Sequence, residues 1–318
     1  MLPVSVELKE KLARLNQSLQ TAFPSDSFNK RKIRDELKKI GEFHTFEKHS
    51  DDKLRKWLQG RTLVGIDGSV NSTRGTPNRM ISLFQALAKG TQGEEKWCAD
   101  IYTPLLAEDE EELAGQAARE ARRRGAFLSQ LEIQLAKTII PDWKPRVVMH
   151  DGSLLHFYID NPDEWKDTAE TALQHDTLLV GVSEEIATNR LARMVFPQYK
   201  QYSDSDLLYG VLEVGEAFEW REWSPIGSEM WRVALRSSQS PQPIVVDGLV
   251  LQNQSRYELI RLVYTLTPMQ GRGIPFWLDI IDNQVRVTDG LIQAMVEQYI
   301  DPELRYRVLS LKKEDRMI

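Results

Sequence analysis

Two apolar runs in this chain stop at the same three residues. Leu63-Val64-Gly65-Ile66 meets Asp67-Gly68-Ser69, and Val147-Val148-Met149 meets, one histidine later, Asp151-Gly152-Ser153. Short apolar runs bounded by Gly read as buried strands. An acid at the end of such a strand, followed by a Gly where the backbone turns sharply, lies where its side chain can face a cleft. If the two ends are neighbours in one sheet, two carboxylates come close and raise each other's pKa, a cost that a cation between them removes. A divalent-metal site is the economical reading. Asp and Gly are also ordinary turn formers, so two unrelated β-turns are the alternative that the doublet alone leaves open.

Composition limits which metal this would be. The chain holds one cysteine, Cys98, and five histidines, with no Cys or His metal-binding spacing. Oxygen ligands are what remain, and they suit Mg²⁺ or Mn²⁺. One cysteine also excludes an internal disulfide framework and fits a reducing compartment. The 318 residues, 41% hydrophobic and 28% charged, describe an ordinary globular chain of one large or two modest domains. There is no charged-then-apolar leader and no run of membrane-spanning length, so a cytoplasmic protein with no membrane contact is expected. A net charge of -6 argues against coating nucleic acid by bulk charge, but leaves room for a local basic channel.

Residues 1–58 read as a polar helical extension. Val4, Leu8, Leu12, Leu15 and Leu19 form one narrow apolar stripe, and after the Pro24-Ser25-Asp26-Ser27 break a second helix runs from about Ser27 to Gly41. The stripe suits a docking arm or dimer contact, or equally a helix folded onto its own domain. Residues 59–318 read as the main domain, with no linker dividing it. Strands are expected at 62–67, 79–87, 97–102, 146–150 and 177–182. Further strand-like runs lie at Leu207–Val214, Met230–Leu235 and from Gly273-Ile274-Pro275-Phe276-Trp277-Leu278. Helices are expected at 107–140, 162–174, 253–266 and 289–300. The first of these opens on the acidic run 108–112 and later carries Arg119 and Arg122–Arg124, a charge order that complements the helix dipole. The expected architecture is α/β, a mixed sheet flanked by helices with a helical N-terminal extension.

Between the two Asp-Gly-Ser tripeptides, Glu132 flanks the helical apolar stripe of Phe127, Leu128, Leu131 and Leu135. There a carboxylate reaches a cleft between helix and sheet, or else water. Asp279 and Asp282 accompany the late apolar run Pro275-Phe276-Trp277-Leu278. Taken in order with Leu179-Val180-Gly181-Val182-Ser183, Ser205-Asp206-Leu207-Leu208 and Gly215-Glu216, these motifs resemble the NurA family of DNA-repair nucleases, whose core is like that of ribonuclease H. The resemblance spans most of residues 60–290.

The resemblance implies that Asp67, Glu132 and Asp151 are metal-binding acids. It puts Asp282 where many relatives carry a histidine, as a fourth ligand that lacks an imidazole. His150 is not a substitute, because strand neighbours point to opposite faces. Glu184-Glu185 stands where a basic or polar residue near the scissile phosphate is expected. Phosphodiester hydrolysis by two divalent ions roughly 4 Å apart, Mn²⁺ or Mg²⁺, needs such carboxylates, with Asp67 the best candidate to bridge them. The implied activity is 5′-to-3′ exonuclease action on duplex ends with endonuclease action on single strands. The implied partners are DNA, a second copy in a homodimer and a HerA-type hexameric ATPase that translocates DNA, in end processing, repair or defence. Arg119 and Arg122–Arg124 are candidates to contact DNA, or equally a solvated helix face, and Trp220, Trp223, Trp231 and Trp277 could stack bases but read more readily as core or interface.

Two other classes stay open at this stage. Val64-Gly65-Ile66-Asp67-Gly68-Ser69 is reminiscent of the phosphate turn of sugar kinases and actin-like ATPases, although no glycine-pair adenosine signature follows. Glu184 and Asp282 also fit a catalytically decayed subunit of a DNA-translocase complex.

Overall fold

Parallel strands need long crossovers and cover on both faces, and that requirement organises the region carrying the acids. The structure, a computed structural model, describes residues 4–23, 29–73, 79–106 and 116–309, with 116–120 and 308 as backbone only. In chain order the elements are α1 (Val6–Ala22), α2 (Lys30–Leu37), β1 (Glu42–Thr45), α3 (Asp51–Leu58) and β2 (Leu63–Ser72). Next come β3 (Ser82–Gly90), β4 (Glu95–Tyr102), α4 (Gln116–Trp143), β5 (Val147–Asp151), α5 (Leu154–Asp160) and α6 (Pro162–Gln174). They are followed by β6 (Leu178–Ser183), α7 (Arg190–Val195), α8 (Asp204–Leu208), β7 (Glu216–Glu219), β8 (Met230–Leu235) and β9 (Ile244–Leu249). The last are α9 (Arg256–Leu266), α10 (Phe276–Val285), α11 (Asp289–Tyr299) and the short α12 (Pro302–Leu304). The chain forms two compact units, Met1–Lys48 with Ser183–Ile274, and His49–Val182 with Pro275–Ile318.

In the unit built on His49–Val182 the strand order is β6-β5-β2-β3-β4. β2, β3 and β4 form an antiparallel meander, while β5 and β6 run parallel to β2, the ribonuclease H-like arrangement of a mixed sheet. The long α4 leads into β5, and α5 with α6 leads into β6. Val147–His150 and Leu178–Val182 are buried without interruption, as strands covered on both faces must be.

Two glycines of β2 show what covers it. A Cβ at Gly65 would lie 2.3 Å from Ile281 Cδ1 of α10, and one at Gly68, on the opposite face, 2.7 Å from Leu128 Cδ1 of α4. One helix therefore presses on each face of the central strand at positions where no side chain fits.

Several expectations are corrected here. β2 does not end at Asp67 but continues to Ser72. The segment from Pro275 is helix, not strand: Leu278, Ile281 and Val285 share a buried face at helical spacing, with Pro275 at the N-cap. Leu207–Val214 is not a strand either. Ser203 and Asp206 form a reciprocal capping box that starts α8, and the chain stays irregular until β7. The acidic run 108–112 and the break at residues 24–27 lie outside the described residues.

The other unit carries an antiparallel sheet ordered β1-β7-β8-β9. Its core gathers Ile33 and Leu37 of α2 with Leu191, Phe196, Tyr202, Leu207, Phe218 and Trp223. Arg34 holds α2 in place by a two-pronged pair to Glu216, at 2.6 and 2.7 Å. In contrast, α1 has no buried residue, and its leucine stripe is exposed along its length. The helix is tied at its end, where Phe23 stacks on Tyr202 at 5.0 Å. Among the described residues no helix is long and apolar enough to cross a membrane.

Candidate active site

The parallel pairing of β2 with β5 sets the site. Ile66 is the register partner of His150, so Asp67 and Asp151 are the next residues on neighbouring strands. Register partners in a parallel pair project to the same face, and the strands lie roughly 4.8 Å apart. Asp67 is buried and accepts from the Gly68 N–H at 2.8 Å. Asp151 is the last residue of β5, and Gly152 after it has a φ of +119°, outside the range L side chains adopt easily. Ser153 then accepts from the Leu155 N–H at 3.2 Å and starts α5.

Glu132 reaches this pair from α4. It is 5% exposed, and its Oε2 is buried without a hydrogen-bond partner. Burial, then the charges of Asp67 and Asp151, push its carboxyl well above the usual carboxylate range. Its path is open only because residue 68 is glycine: a Cβ there would sit 2.6 Å from Glu132 Oε1. Thus Gly68 serves close approach rather than a turn. Sequence reasoning assigned that glycine the wrong purpose, since a packing glycine and a turn glycine look the same in a single sequence.

The structure brings Asp67, Glu132 and Asp151 into mutual electrostatic range. Asp282 stands on α10, on the other helix packed against β2, and pairs with Arg286 at 2.6 Å. His150 is fully buried, packs edge-on to Phe157 at 4.8 Å and has no hydrogen bond at either ring nitrogen. Burial, with nearby His156, lowers its pKa to about 3, so it is neutral near pH 7. It therefore belongs to the core face opposite Asp151. Glu184 pairs with Arg272 at 2.9 Å, so the acid that looked out of place carries its own cation.

The chemistry of these side chains is that of oxygen donors, the kind a hard divalent cation takes. Three carboxylates converge, one of them with a buried oxygen that has no donor, and such a cluster gains from positive charge. Among the described residues no group of three or more Asp, Glu, His or Cys side chains stands in an arrangement that could hold a metal ion. The residues expected to hold DNA have mixed positions. Arg122 is exposed, Arg124 donates to Ser72 at 3.1 Å, and the side chain of Arg119 lies outside the described residues. Trp223 is fully buried, and Trp277 donates to the Lys89 carbonyl at 3.1 Å. Both are structural.

The crystal structure of the NurA nuclease from Sulfolobus solfataricus overlays with a TM-score of 0.58 at 15% identity, over 94% of this chain and 99% of that one. At that identity the likeness is one of fold. The catalytic domain of human endonuclease V gives a TM-score of 0.37 at 16% identity, over 86% of this chain and 98% of that one. No curated protein matches the sequence. The NurA domain family matches residues 61–287, a span that contains Asp67, Glu132, Asp151 and Asp282, and the chain belongs to the NurA family.

Proposed function

We propose that this chain is a divalent-metal-dependent DNA nuclease acting through Asp67, Glu132 and Asp151. The observation that carries the reading is the buried Glu132 carboxyl, held without a donor beside two further acids. Asp67 and Asp151, adjacent across the parallel pair, would hold Mn²⁺ or Mg²⁺, two ions in all. Glu132 would complete the set from α4 after giving up its proton, so metal affinity rises with pH. Bound ions supply an activated water and neutralise the phosphate. Asp282 can join as a fourth ligand only if its pair with Arg286 opens.

The substrates are single-stranded DNA and duplex ends, cut in the 5′-to-3′ direction, in end processing, repair or defence within the cytoplasm. The extension of residues 1–58 serves assembly and residues 59–318 form the nuclease. The exposed stripe of α1 is the support for assembly, as a homodimer and on a HerA-type hexameric ATPase.

The test is Mn²⁺-supported cleavage of linear duplex and single-stranded DNA. Wild type should cut and stop in excess EDTA, and Asp67→Ala should not cut while keeping its fold. Cutting in EDTA, or by Asp67→Ala, ends the reading. Asp282→Asn should cost far less than Asp151→Asn. Light scattering and capture of a co-encoded ATPase test the assembly, which a strict monomer with no capture would exclude.

A further inference from the structure

A polar groove lies in the unit formed by Met1–Lys48 and Ser183–Ile274, and none of Asp67, Glu132 and Asp151 lines it. Its larger lobe, about 610 Å³, lies between β8, the 3₁₀ turn Arg221–Trp223 and the first turn of α9. Four guanidinium groups line it, from Arg190, Arg221, Arg232 and Arg256, with the indoles of Trp220 and Trp231. Two of the four cations are balanced. Arg232 pairs with the buried Asp247 at 3.0 Å, and Arg256 pairs with Glu219. Arg190 and Arg221 have no carboxylate partner among the described residues, and both are exposed. Glu222 is the only remaining acid on this wall, so the lobe carries an excess of positive charge on a chain whose net charge is -6.

Hydrogen-bond donors are in surplus here as well. Trp231 is 6% exposed, and its Nε1 is buried with no acceptor. The Nε of Arg256 is likewise buried and unmatched, although the rest of that guanidinium is bound. Buried donors without acceptors are uncommon in folded proteins, and each calls for a reason. With the Nε of Arg232, three such donors belong to residues that line this groove, and its two unpaired guanidiniums are what an oxygen-rich anion would meet.

The groove does not stop at the size of one anion. A second lobe of about 400 Å³ shares Glu219, Trp220, Arg221, Glu222 and Arg256 with the first and runs on to Tyr257, a residue 41% exposed. Glu42 also lines this lobe and makes it the less cationic end. A cationic lobe leading along an aromatic wall into a lobe lined by three carboxylates and two guanidiniums places phosphate at one end and an uncharged base at the other. A lone phosphate would need only the first lobe. We propose that this groove is a binding site for single-stranded nucleic acid. Arg190 and Arg221 engage phosphodiester oxygens, and the part-exposed Tyr257, with Arg256 over one face of its ring, packs against a base. The inference does not depend on the carboxylates being catalytic.

The test measures binding of a fluorescein-labelled twelve-nucleotide oligothymidylate by anisotropy in EDTA, on an Asp67→Asn background so that no cutting intervenes. Arg190→Glu with Arg221→Glu should weaken binding about tenfold or more near 0.1 M salt. It should also reduce the slope of log affinity against log salt by about 1.4, two contacts at about 0.7 each. Lys38→Glu with Lys53→Glu changes net charge equally at two exposed sites elsewhere and should leave the slope near wild type. Unchanged affinity and slope in the arginine pair, or an equal loss in the lysine pair, overturns the proposal. Competition by inorganic pyrophosphate at the same phosphate concentration, as strong as by unlabelled oligonucleotide, overturns the strand assignment. If wild type never cuts DNA but the arginine-dependent binding stands, the nuclease reading fails and this site remains.

Discussion

Asp67-Gly68-Ser69 runs through the middle of β2, whereas Asp151-Gly152-Ser153 carries the chain from the end of β5 into α5. The acids do matching things, because parallel register puts them on one face of neighbouring strands. The glycines differ: Gly68 makes room for Glu132, while Gly152 allows a φ of +119°. The serines differ too, since Ser69 Oγ accepts from the Val287 N–H at 3.0 Å beyond α10, while Ser153 caps its own helix. One tripeptide is therefore a packing device and the other a turn, and what they share is the position of a carboxylate.

Changing the acids tests that shared part and gives the largest effect. Asp67→Asn and Asp151→Asn should each lower Mn²⁺-supported DNA cleavage on the order of 10³-fold or more, and the double variant should be little worse than either, as for residues acting as one unit. Additive losses, or near-normal cleavage by either variant, would break the pairing.

The glycines should separate stability from activity. Gly152→Ala forces a side chain into a strained backbone and should cost about 1–3 kcal/mol in urea unfolding. Gly68→Ala meets Glu132 and Leu128 instead, with a cost of about 1–3 kcal/mol from overpacking. Only the Gly68→Ala cost should shrink when Glu132→Ala is added, because only there do the two sites touch. An equal rescue of Gly152→Ala would show that the two glycines do not differ as described.

The pH dependence of stability sharpens the role of Glu132. Its carboxyl holds a proton in the folded chain that the unfolded chain releases above its ordinary pKa of about 4.3. The folded state is thus favoured at low pH, and stability of the metal-free protein falls as pH rises from there towards the raised folded value. That contribution is at most about 1.4 kcal/mol per pH unit. Glu132→Gln should be more stable than wild type at pH 8 in EDTA and converge with it near pH 4. Parallel melting curves at both pH values would mean that Asp67 and Asp151 place no load on Glu132.

The smallest effects are at the serines. Ser153→Ala loses a cap and Ser69→Ala loses an acceptor, each costing about 1 kcal/mol. Hydrogen exchange should tell them apart, with the first change loosening the Leu155 amide and the second the Val287 amide. The same amide responding in both variants would contradict the separate roles.

Much of this molecule was legible in its residues, and the limits of that reading have a common cause. The apolar runs at 63–66 and 147–149 gave buried strands, and their acids are neighbours in one sheet as expected, although only Asp151 ends its strand. Helix 162–174 is set by Pro162 at its first turn and by its own apolar spacing, all within the segment. The stripe of α1 was legible for the same reason. Such features depend on residues a few positions apart, whose geometry a strand or helix fixes by itself. Glu132 was ambiguous because a flank position on a helix does not say what lies opposite, and Gly68 was misread because its partner comes from α4. The segment after Pro275 became a helix because Gly65 of β2 leaves a seat for Ile281, and Asp282 followed it onto α10. The sequence by itself determined which residues carry the charge and which runs are buried. Tertiary structure alone decided which carboxylates meet and why each glycine is there, because close packing is settled between segments distant in the chain, where local pattern has no reach.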